Sequence, residues 1–175
     1  RHALARLSGH PEIARRSVFH ALNQKAVAKR YCAAQGLRYE AVNLIVAHMG
    51  GGVSVGAHSE GKVLDVNDAL GGEGPYSAQR CGGLPANALV KLCATQNLPP
   101  VATIKKLTTE GGLLGYLGTD DGREISRRAR EGDGQARLFY EGMAYQIAKE
   151  IGAAAAALGG EVKAILLTGG FARRL

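Results

Sequence analysis

Residues 43–66 read NLIVAHMGGGVSVGAHSEGKVLDV, and they predict the central part of the fold. It contains three short runs rich in apolar and β-branched residues, at 43–48, 53–57 and 62–66, and such runs predict strands. Short glycine-containing reversals separate the runs, at positions 50–52 and 60–61. Reversals of this length join antiparallel neighbours. The stretch therefore predicts an antiparallel meander of three strands.

Helix patterns flank the predicted meander. A helix is predicted from Val18 to Gln35, with Gly36 as its stop, from apolar residues at helical spacing. These residues are Leu22, Ala26, Val27, Ala33 and Ala34. After the meander, a glycine-rich loop at 70–84 precedes a helix at 87–95 and a region of short helices that runs to about Gly132.

The last third of the chain predicts a long helix followed by a strand. Residues 136–158 are rich in alanine and lack proline. They place Phe139, Met143, Ile147 and Ile151 four apart on one face, which should pack against a sheet. Residues 162–168 then predict another buried strand. The whole pattern indicates an α/β fold with a mixed sheet and helices.

Composition limits the classes of partner. The chain has 175 residues, 46% of them apolar, which is enough for one globular core. Its net charge of +7 favours anionic ligands. The basic residues are dispersed and do not alternate with the six tyrosines and three phenylalanines, so we expect solvated helix faces and not a nucleic-acid surface. No apolar run is long enough for a membrane span. Three cysteines without paired spacing suggest a reducing, cytoplasmic compartment and no disulfide.

Two glycine clusters follow predicted strands. Three consecutive glycines, Gly50, Gly51 and Gly52, let a turn present N–H groups to phosphate oxygens, although a plain hairpin turn is the alternative. The spacing matches neither a Walker loop nor the dinucleotide-binding motif. The second cluster, Gly169-Gly170, could be an ordinary turn, but together the clusters suggest two strand-end turns that hold one nucleotide.

Several polar residues are candidates for chemistry, and each has a structural alternative. Arg80 lies in a glycine-rich loop that could direct its guanidinium inward, or it could lie on the surface. His20 near a helix start could meet a phosphoryl group or be structural. Asp120, Asp121 and Arg123 could bind a ribose or a metal, or cap a helix. Asp65 could face Mg²⁺ or cap a turn. His2, His10 and His58 show no metal-ligand spacing.

In this order, these elements resemble the acetate/butyrate kinase family of the actin-like ATPase superfamily, which has RNase H-like cores, and its butyrate kinases in particular. The stretches that carry the resemblance are RRSVFHALNQKA at 15–26, residues 43–58, DVNDAL at 65–70, GEGPYS at 72–77 and AYQIAKEIG at 144–152. They are spread over most of the chain.

The resemblance implies reversible transfer of the ATP γ-phosphoryl group to butyrate, giving ADP and butyryl phosphate. It implies catalytic roles for His20 and Arg80, and a phosphate loop made by His48 and Gly50–Gly52. The remaining implied nucleotide contacts are Asp121, Arg123, Gly169 and Gly170. Phosphoryl transfer needs positioning and charge neutralisation, and an arginine, a histidine and backbone amides can supply both.

The same resemblance predicts that residues 1–175 form part of the C-terminal, nucleotide-binding domain of a two-domain kinase. The N-terminal domain and the extreme C-terminus would be absent, most Mg²⁺ ligands would lie outside this chain, and the chain alone would be inactive. We expect a nucleotide and a small carboxylate as partners, and a homo-oligomer. Two alternatives stay open: a kinase for branched acids such as isobutyrate, and a nucleotide-binding module of the superfamily without catalysis.

Overall fold

A computed structural model describes residues 2–172 of the chain. Its strands are β1 (Leu7–His10), β2 (Ile13–Ala14), β3 (Leu44–Met49), β4 (Val53–Ser59), β5 (Lys62–Val66) and β6 (Ala164–Thr168). Its helices are α1 (Ala21–Ala34), α2 (Ala86–Thr95), α3 (Pro100–Thr109), α4 (Gly112–Leu117), α5 (Gly122–Arg130) and α6 (Gly134–Ala157). In this part of the chain, no helix combines the length and the apolar character needed to cross a bilayer.

The central sheet has the strand order β5-β4-β3-β6. Strands β3, β4 and β5 pair antiparallel in sequence order, which confirms the predicted meander. Strand β6 pairs parallel with β3, with Leu44 opposite Ala164 and His48 opposite Thr168. The sheet is therefore mixed, and the parallel pair brings the ends of β3 and β6 to the same edge. Strands β1 and β2 form a separate small hairpin.

Strand β3 is covered on both faces. Alternate residues of β3 and β4, among them Ile45, Ala47 and Val55, belong to the larger core together with side chains of α6. The other face of β3, with Leu44 and Val46, packs against α1. This explains why 44–47 is a continuous apolar run and not an alternating one, because a strand buried on both sides has no solvent-facing positions.

Helix α1 starts later than predicted, and its buried face includes a polar residue. It begins at Ala21, three residues after Val18, with His20 at the N-cap position. Its buried residues are Gln24, Ala28 and Cys32, four apart, whereas Leu22 is 89% exposed. Of the apolar residues whose spacing predicts the helix, Val27 packs against the same core. The spacing does not indicate which face is buried, because small alanines occur all round the helix, and the tertiary contacts select a stripe that begins with a polar residue.

Helix α6 confirms the prediction closely. It runs from Gly134 to Ala157, and the carboxylate of Asp133 caps its start by accepting hydrogen bonds from two backbone N–H groups. Met143 and Ile147 are buried, and Phe139 and Ile151 pack at the margin of the same core.

Strand β6 is less buried than predicted. It begins at Ala164, and Ile165 and Leu167 are about half exposed. Within the described residues β6 is one of the two edge strands of the sheet and pairs with β3 alone. Its alternate residues Ala164 and Leu166 pack beside the α1 core, so only one face of the strand is covered.

Candidate active site

The two glycine turns adjoin at one edge of the sheet. Because β3 and β6 are parallel, Gly50–Gly52 and Gly169-Gly170 leave the sheet side by side. The N–H of Phe171 donates to the carbonyl of Met49 over 3.1 Å, which ties the second turn to the end of β3. Gly169 has a φ of +94°, and a β-carbon there would collide with the Met49 carbonyl. The predicted pairing of the turns is thus present in the fold.

Two histidines stack at this edge. The rings of His20 and His48 lie 3.7 Å apart between centroids, at an interplanar angle of 14°. Burial, aided by His48 and Arg80, lowers the pKa of His20 to about 4. Burial also lowers the pKa of His48. Both rings are therefore neutral near pH 7 and can form hydrogen bonds without carrying a charge.

Arg80 points inward, as the glycine-rich loop suggested. Its guanidinium packs over Gly52 and donates through Nη1 to the carbonyl of Ala69 over 2.7 Å. Its Nε is buried and has no hydrogen-bond partner among the described residues. A buried N–H without a partner is rare in folded proteins and indicates a place where an acceptor belongs.

The Arg80 loop is joined to the first glycine turn. The Ser77 hydroxyl donates to the Gly51 carbonyl over 2.6 Å, and the Arg80 N–H donates to the same hydroxyl oxygen over 3.1 Å. The side chain of Asn67, which precedes this loop, accepts from the Val55 N–H and donates to the Val53 carbonyl. It thereby bonds to the backbone of β4 as a neighbouring strand would. These bonds hold the loop against the sheet, so the position of Arg80 depends on the fold.

The start of α5 lies beside the second glycine turn. Gly122 contacts the ring of Phe171 so closely that a β-carbon there would collide with it. Asp121 caps α5 by accepting from the Arg123 N–H over 2.8 Å, which is the capping role left open by the sequence. The side chains of Asp121 and Arg123 are both exposed. Asp120 instead accepts from Gln79 Nε2 over 2.5 Å.

Asp65 lies on β5, opposite Ala57 of β4. Its carboxylate accepts from the Val66 N–H over 2.8 Å and pairs with Arg15 at 3.6 Å. Glu73 also binds Arg15, through two hydrogen bonds. Across residues 2–172, no three His, Cys, Asp or Glu side chains gather in a way that could hold a metal ion.

Sequence reasoning missed a buried polar group behind His20. Ser54, Gln24, His58 and Tyr39 are linked by hydrogen bonds and are nearly or completely buried. The sequence contained a signal for it. Positions 54, 56 and 58 are two apart and so share one face of a strand, and Gln24 follows His20 by one helical turn. Only the packing of α1 on the sheet shows that these positions meet.

Comparison with known proteins agrees with this architecture. The chain matches the Acetokinase family over residues 4–173 and belongs to that family. It is 53% identical to butyrate kinase 2 and 49% identical to butyrate kinase 1 of Clostridium acetobutylicum, each over 97% of the chain. The chain spans 48% of the length of each of these relatives.

Solved structures show the same fold. Acetate kinase of Porphyromonas gingivalis superposes with a TM-score of 0.84 over 91% of this chain and 40% of its own, at 32% identity. Propionate kinase of Francisella tularensis superposes with a TM-score of 0.82 over 91% of this chain and 41% of its own, at 25% identity. Acetate kinase of Entamoeba histolytica, at 20% identity over 97% and 46%, supports the fold alone with a TM-score of 0.84. The predicted actin-like ATPase fold is confirmed.

Proposed function

We propose that the protein to which this chain belongs transfers the γ-phosphoryl group of ATP to butyrate, reversibly, giving ADP and butyryl phosphate. The observation that carries the proposal is Arg80: a guanidinium held on a glycine turn, with a buried Nε that lacks a protein acceptor, near two stacked neutral histidines. The likeness to butyrate kinases supports the choice of acid.

The chemistry of the transfer suits these groups. A carboxylate oxygen of butyrate forms a bond to the γ-phosphorus, the bond from that phosphorus to the β,γ-bridging oxygen breaks, and ADP leaves with the bond electrons. Negative charge is spread over three phosphoryl oxygens during the transfer. Arg80 would neutralise part of that charge, and neutral His20 would donate a hydrogen bond without repelling Arg80. The carboxylate is already ionised, so it needs no general base.

We propose that the nucleotide lies along the edge formed by the two glycine turns. His48 and Gly50–Gly52 would contact phosphates from one side, and Gly169 and Gly170 from the other. Asp121 and Arg123, exposed at the start of α5, would contact the nucleoside portion. The support is the adjacency of the three segments, which the β3–β6 pair and the Gly122–Phe171 contact bring about.

Mg²⁺ would be bound through the ATP phosphates. Residues 2–172 bring together no carboxylate cluster that fits the ion, so we assign it no ligand here. Mg²⁺ commonly takes only one or two protein carboxylates and otherwise binds phosphate oxygens and water. Bound in this way, it would shield phosphate charge.

We also propose a pocket for the acyl tail. A cavity of about 350 Å³ opens beside Arg80 between the loop at 69–84 and helices α2 and α3. Its apolar walls include Leu70, Pro75, Leu84, Leu89, Ile104 and Leu107. An apolar recess next to a guanidinium fits a short fatty acid, whose carboxylate and tail need opposite environments.

The test is the formation of butyryl hydroxamate from butyrate, ATP and hydroxylamine by the full-length protein. Wild type should turn over, and Arg80→Ala should lower kcat by at least about 100-fold while changing ATP affinity little, as for the loss of a transition-state contact. Unchanged turnover in Arg80→Ala would remove that residue from the mechanism. ATP binding without turnover by the wild type would favour a non-catalytic nucleotide-binding module, and a higher kcat/KM for isobutyrate would favour a branched-acid kinase.

A further inference from the structure

A continuous line of hydrogen bonds runs from the site edge into the interior. His20 Nδ1 lies 2.9 Å from Ser54 Oγ, and Gln24 Nε2 lies 2.9 Å from the same oxygen. On its other side, Gln24 Oε1 lies 3.0 Å from His58 Nε2, and His58 Nδ1 lies 2.6 Å from the Tyr39 hydroxyl. Gln24, Ser54 and His58 are completely buried, so water cannot substitute for these partners.

One backbone carbonyl sets the direction of the inner bonds. Gln24 Nε2 also lies 3.1 Å from the carbonyl oxygen of Ser54, which can only accept. The amide nitrogen must therefore face Ser54, and the amide oxygen must face His58. Because that oxygen can only accept, His58 carries its proton on Nε2. Its bare Nδ1 then accepts from the Tyr39 hydroxyl.

The same carbonyl sets the outer bonds. The second N–H of Gln24 donates to Ser54 Oγ. The hydroxyl proton of Ser54 then needs an acceptor in a buried setting, and among the described residues His20 Nδ1 is the one within reach. His20 Nδ1 therefore accepts a hydrogen bond from the Ser54 hydroxyl and is itself unprotonated. The ring proton of neutral His20 is consequently on Nε2, which has no hydrogen-bond partner within residues 2–172.

We infer that Ser54 and Gln24 are positioning residues that hold His20 in the tautomer with its proton on Nε2, so that the ring presents an N–H donor to the site. The tautomer itself does not depend on the proposed function. The inference rests on the proposed function only for the acceptor of that N–H, which would be an oxygen of the transferring phosphoryl group. The opposite tautomer would present a lone pair to the same anionic oxygen and repel it. The network thus decides whether His20 assists or opposes transfer.

Packing holds the network in place independently of its hydrogen bonds. A β-carbon on Gly56 would collide with Gln24 Oε1, so the absence of a side chain there makes room for the amide. The Gln24 N–H donates to the His20 carbonyl over 2.9 Å as the first bond of α1, which sets both side chains one turn apart. The low pKa of His20 agrees with a neutral ring whose tautomer matters.

The direct test is nitrogen NMR of the full-length protein labelled with ¹⁵N-histidine, at about pH 7 where the ring is neutral. The His20 signals are assigned by their loss in His20→Asn. We expect the wild type to show His20 protonated on Nε2. Ser54→Ala should give a mixture of the two tautomers, and Gly56→Ala should do the same by displacing Gln24. The control Ser126→Ala removes a buried hydroxyl from α5 and should leave the His20 signals unchanged.

A wild-type His20 protonated on Nδ1, or a Ser54→Ala spectrum identical to wild type, would overturn the inference. The wild-type spectrum decides the tautomer even if a variant fails to fold. Kinetics then test the consequence: Ser54→Ala should lower kcat at least about tenfold with little change in KM for ATP, and Ser54→Thr, which keeps the hydroxyl, should recover most of the loss.

An unchanged kcat in Ser54→Ala, together with a lost tautomer preference, would show that the network does not serve catalysis and would overturn the positioning role. A wild type that forms no acyl hydroxamate would instead count against the proposed function. These two failures are distinguishable because the tautomer is measured without substrate.

Discussion

The guanidinium of Arg80 occupies the space that a β-carbon on Gly52 would need. The glycines at positions 50–52 all have φ outside the left-handed region, so the turn does not need them for backbone freedom. Gly52 is needed instead because a charged side chain lies directly on the backbone. The glycine turn and the arginine loop therefore form one unit, and a larger residue in the turn should shift the position of the Arg80 guanidinium.

We expect Gly52→Ala to displace Arg80 without unfolding the protein. The added methyl meets the end of a flexible side chain, which can move aside, and Arg80 would then lose its bond to the Ala69 carbonyl. In the hydroxamate assay of the full-length protein, kcat should fall on the order of 100-fold, as in Arg80→Ala. The thermal midpoint should change little.

The matched control is Gly152→Ala, inside the C-terminal part of α6, where a β-carbon would meet nothing within 4 Å. It should leave kcat unchanged and should stabilise the helix by up to about 1 kcal/mol. Equal kcat values for Gly52→Ala and wild type would show that the Arg80–Gly52 contact has no part in catalysis.

Gly169→Ala should destabilise the fold, in contrast to its neighbour. Gly169 combines a φ of +94° with a close approach to the Met49 carbonyl, so alanine would meet both backbone strain and a collision with rigid backbone. A loss of about 2–4 kcal/mol in unfolding free energy is expected. Gly170→Ala adds a methyl in open space and should unfold like the wild type. Denaturant unfolding of both variants tests this, and equal midpoints would contradict it.

Acid should weaken the fold through His58. Burial, with a smaller contribution from Lys25, lowers its pKa from about 6.5 to about 4. Between these values the unfolded chain binds more protons than the folded one, so the stability held above pH 6.5 is lost as the pH falls and levels off below pH 4. For a group this buried, the loss is about 3 kcal/mol.

His58→Gln keeps a hydrogen-bonding side chain but cannot be protonated in this range. Although its stability at pH 7 should be lower, denaturation midpoints should depend less on pH between 6.5 and 4 than those of the wild type. The exposed His10 provides the control, since His10→Gln should keep the wild-type dependence. A His58→Gln profile parallel to wild type would show that His58 is not the group responsible.

Narrowing the apolar cavity should change the preference for acid length. Leu107 lines the cavity, and its carbonyl accepts from the Cys81 N–H over 3.0 Å, so its position is anchored. Leu107→Trp should reduce kcat/KM for butyrate by about 10- to 100-fold while reducing that for acetate much less, because butyrate has two more methylenes than acetate to place in the cavity. Arg80 should remain functional, which the acetate rate reports. Equal losses for both acids would exclude this cavity as the acyl pocket.

Much of the architecture was predictable because its signals are local. The meander follows from three apolar runs with glycine reversals, and α6 follows from four apolar residues at helical spacing. The two glycine clusters were recognisable as strand-end turns for the same reason. By contrast, α1 carried a weak signal: its alanines leave the choice of buried face to Gln24, whose partners lie 30 or more positions away in sequence.

That the first glycine cluster brings backbone close to an anion stays a prediction. What the structure shows at this cluster is that the side chain of Arg80 packs directly on Gly52. That contact depends on a loop held by Ser77 and Asn67. The stack of His20 on His48 joins a helix cap to a strand 28 positions later, and no periodicity connects them.

The kinds of element and the turns could be inferred from the sequence alone, as could the candidate residues of the proposed phosphoryl transfer, because these depend on residue types and on spacing within a few residues. Which side chains meet follows from tertiary packing: Arg80 lies on Gly52, His20 stacks on His48, and Ser54 lies between His20 and Gln24. The physical reason is that a hydrogen bond's direction and a side chain's burial are properties of three-dimensional neighbours. Here those neighbours are brought together by the parallel β3–β6 pair and by the packing of α1 on the sheet.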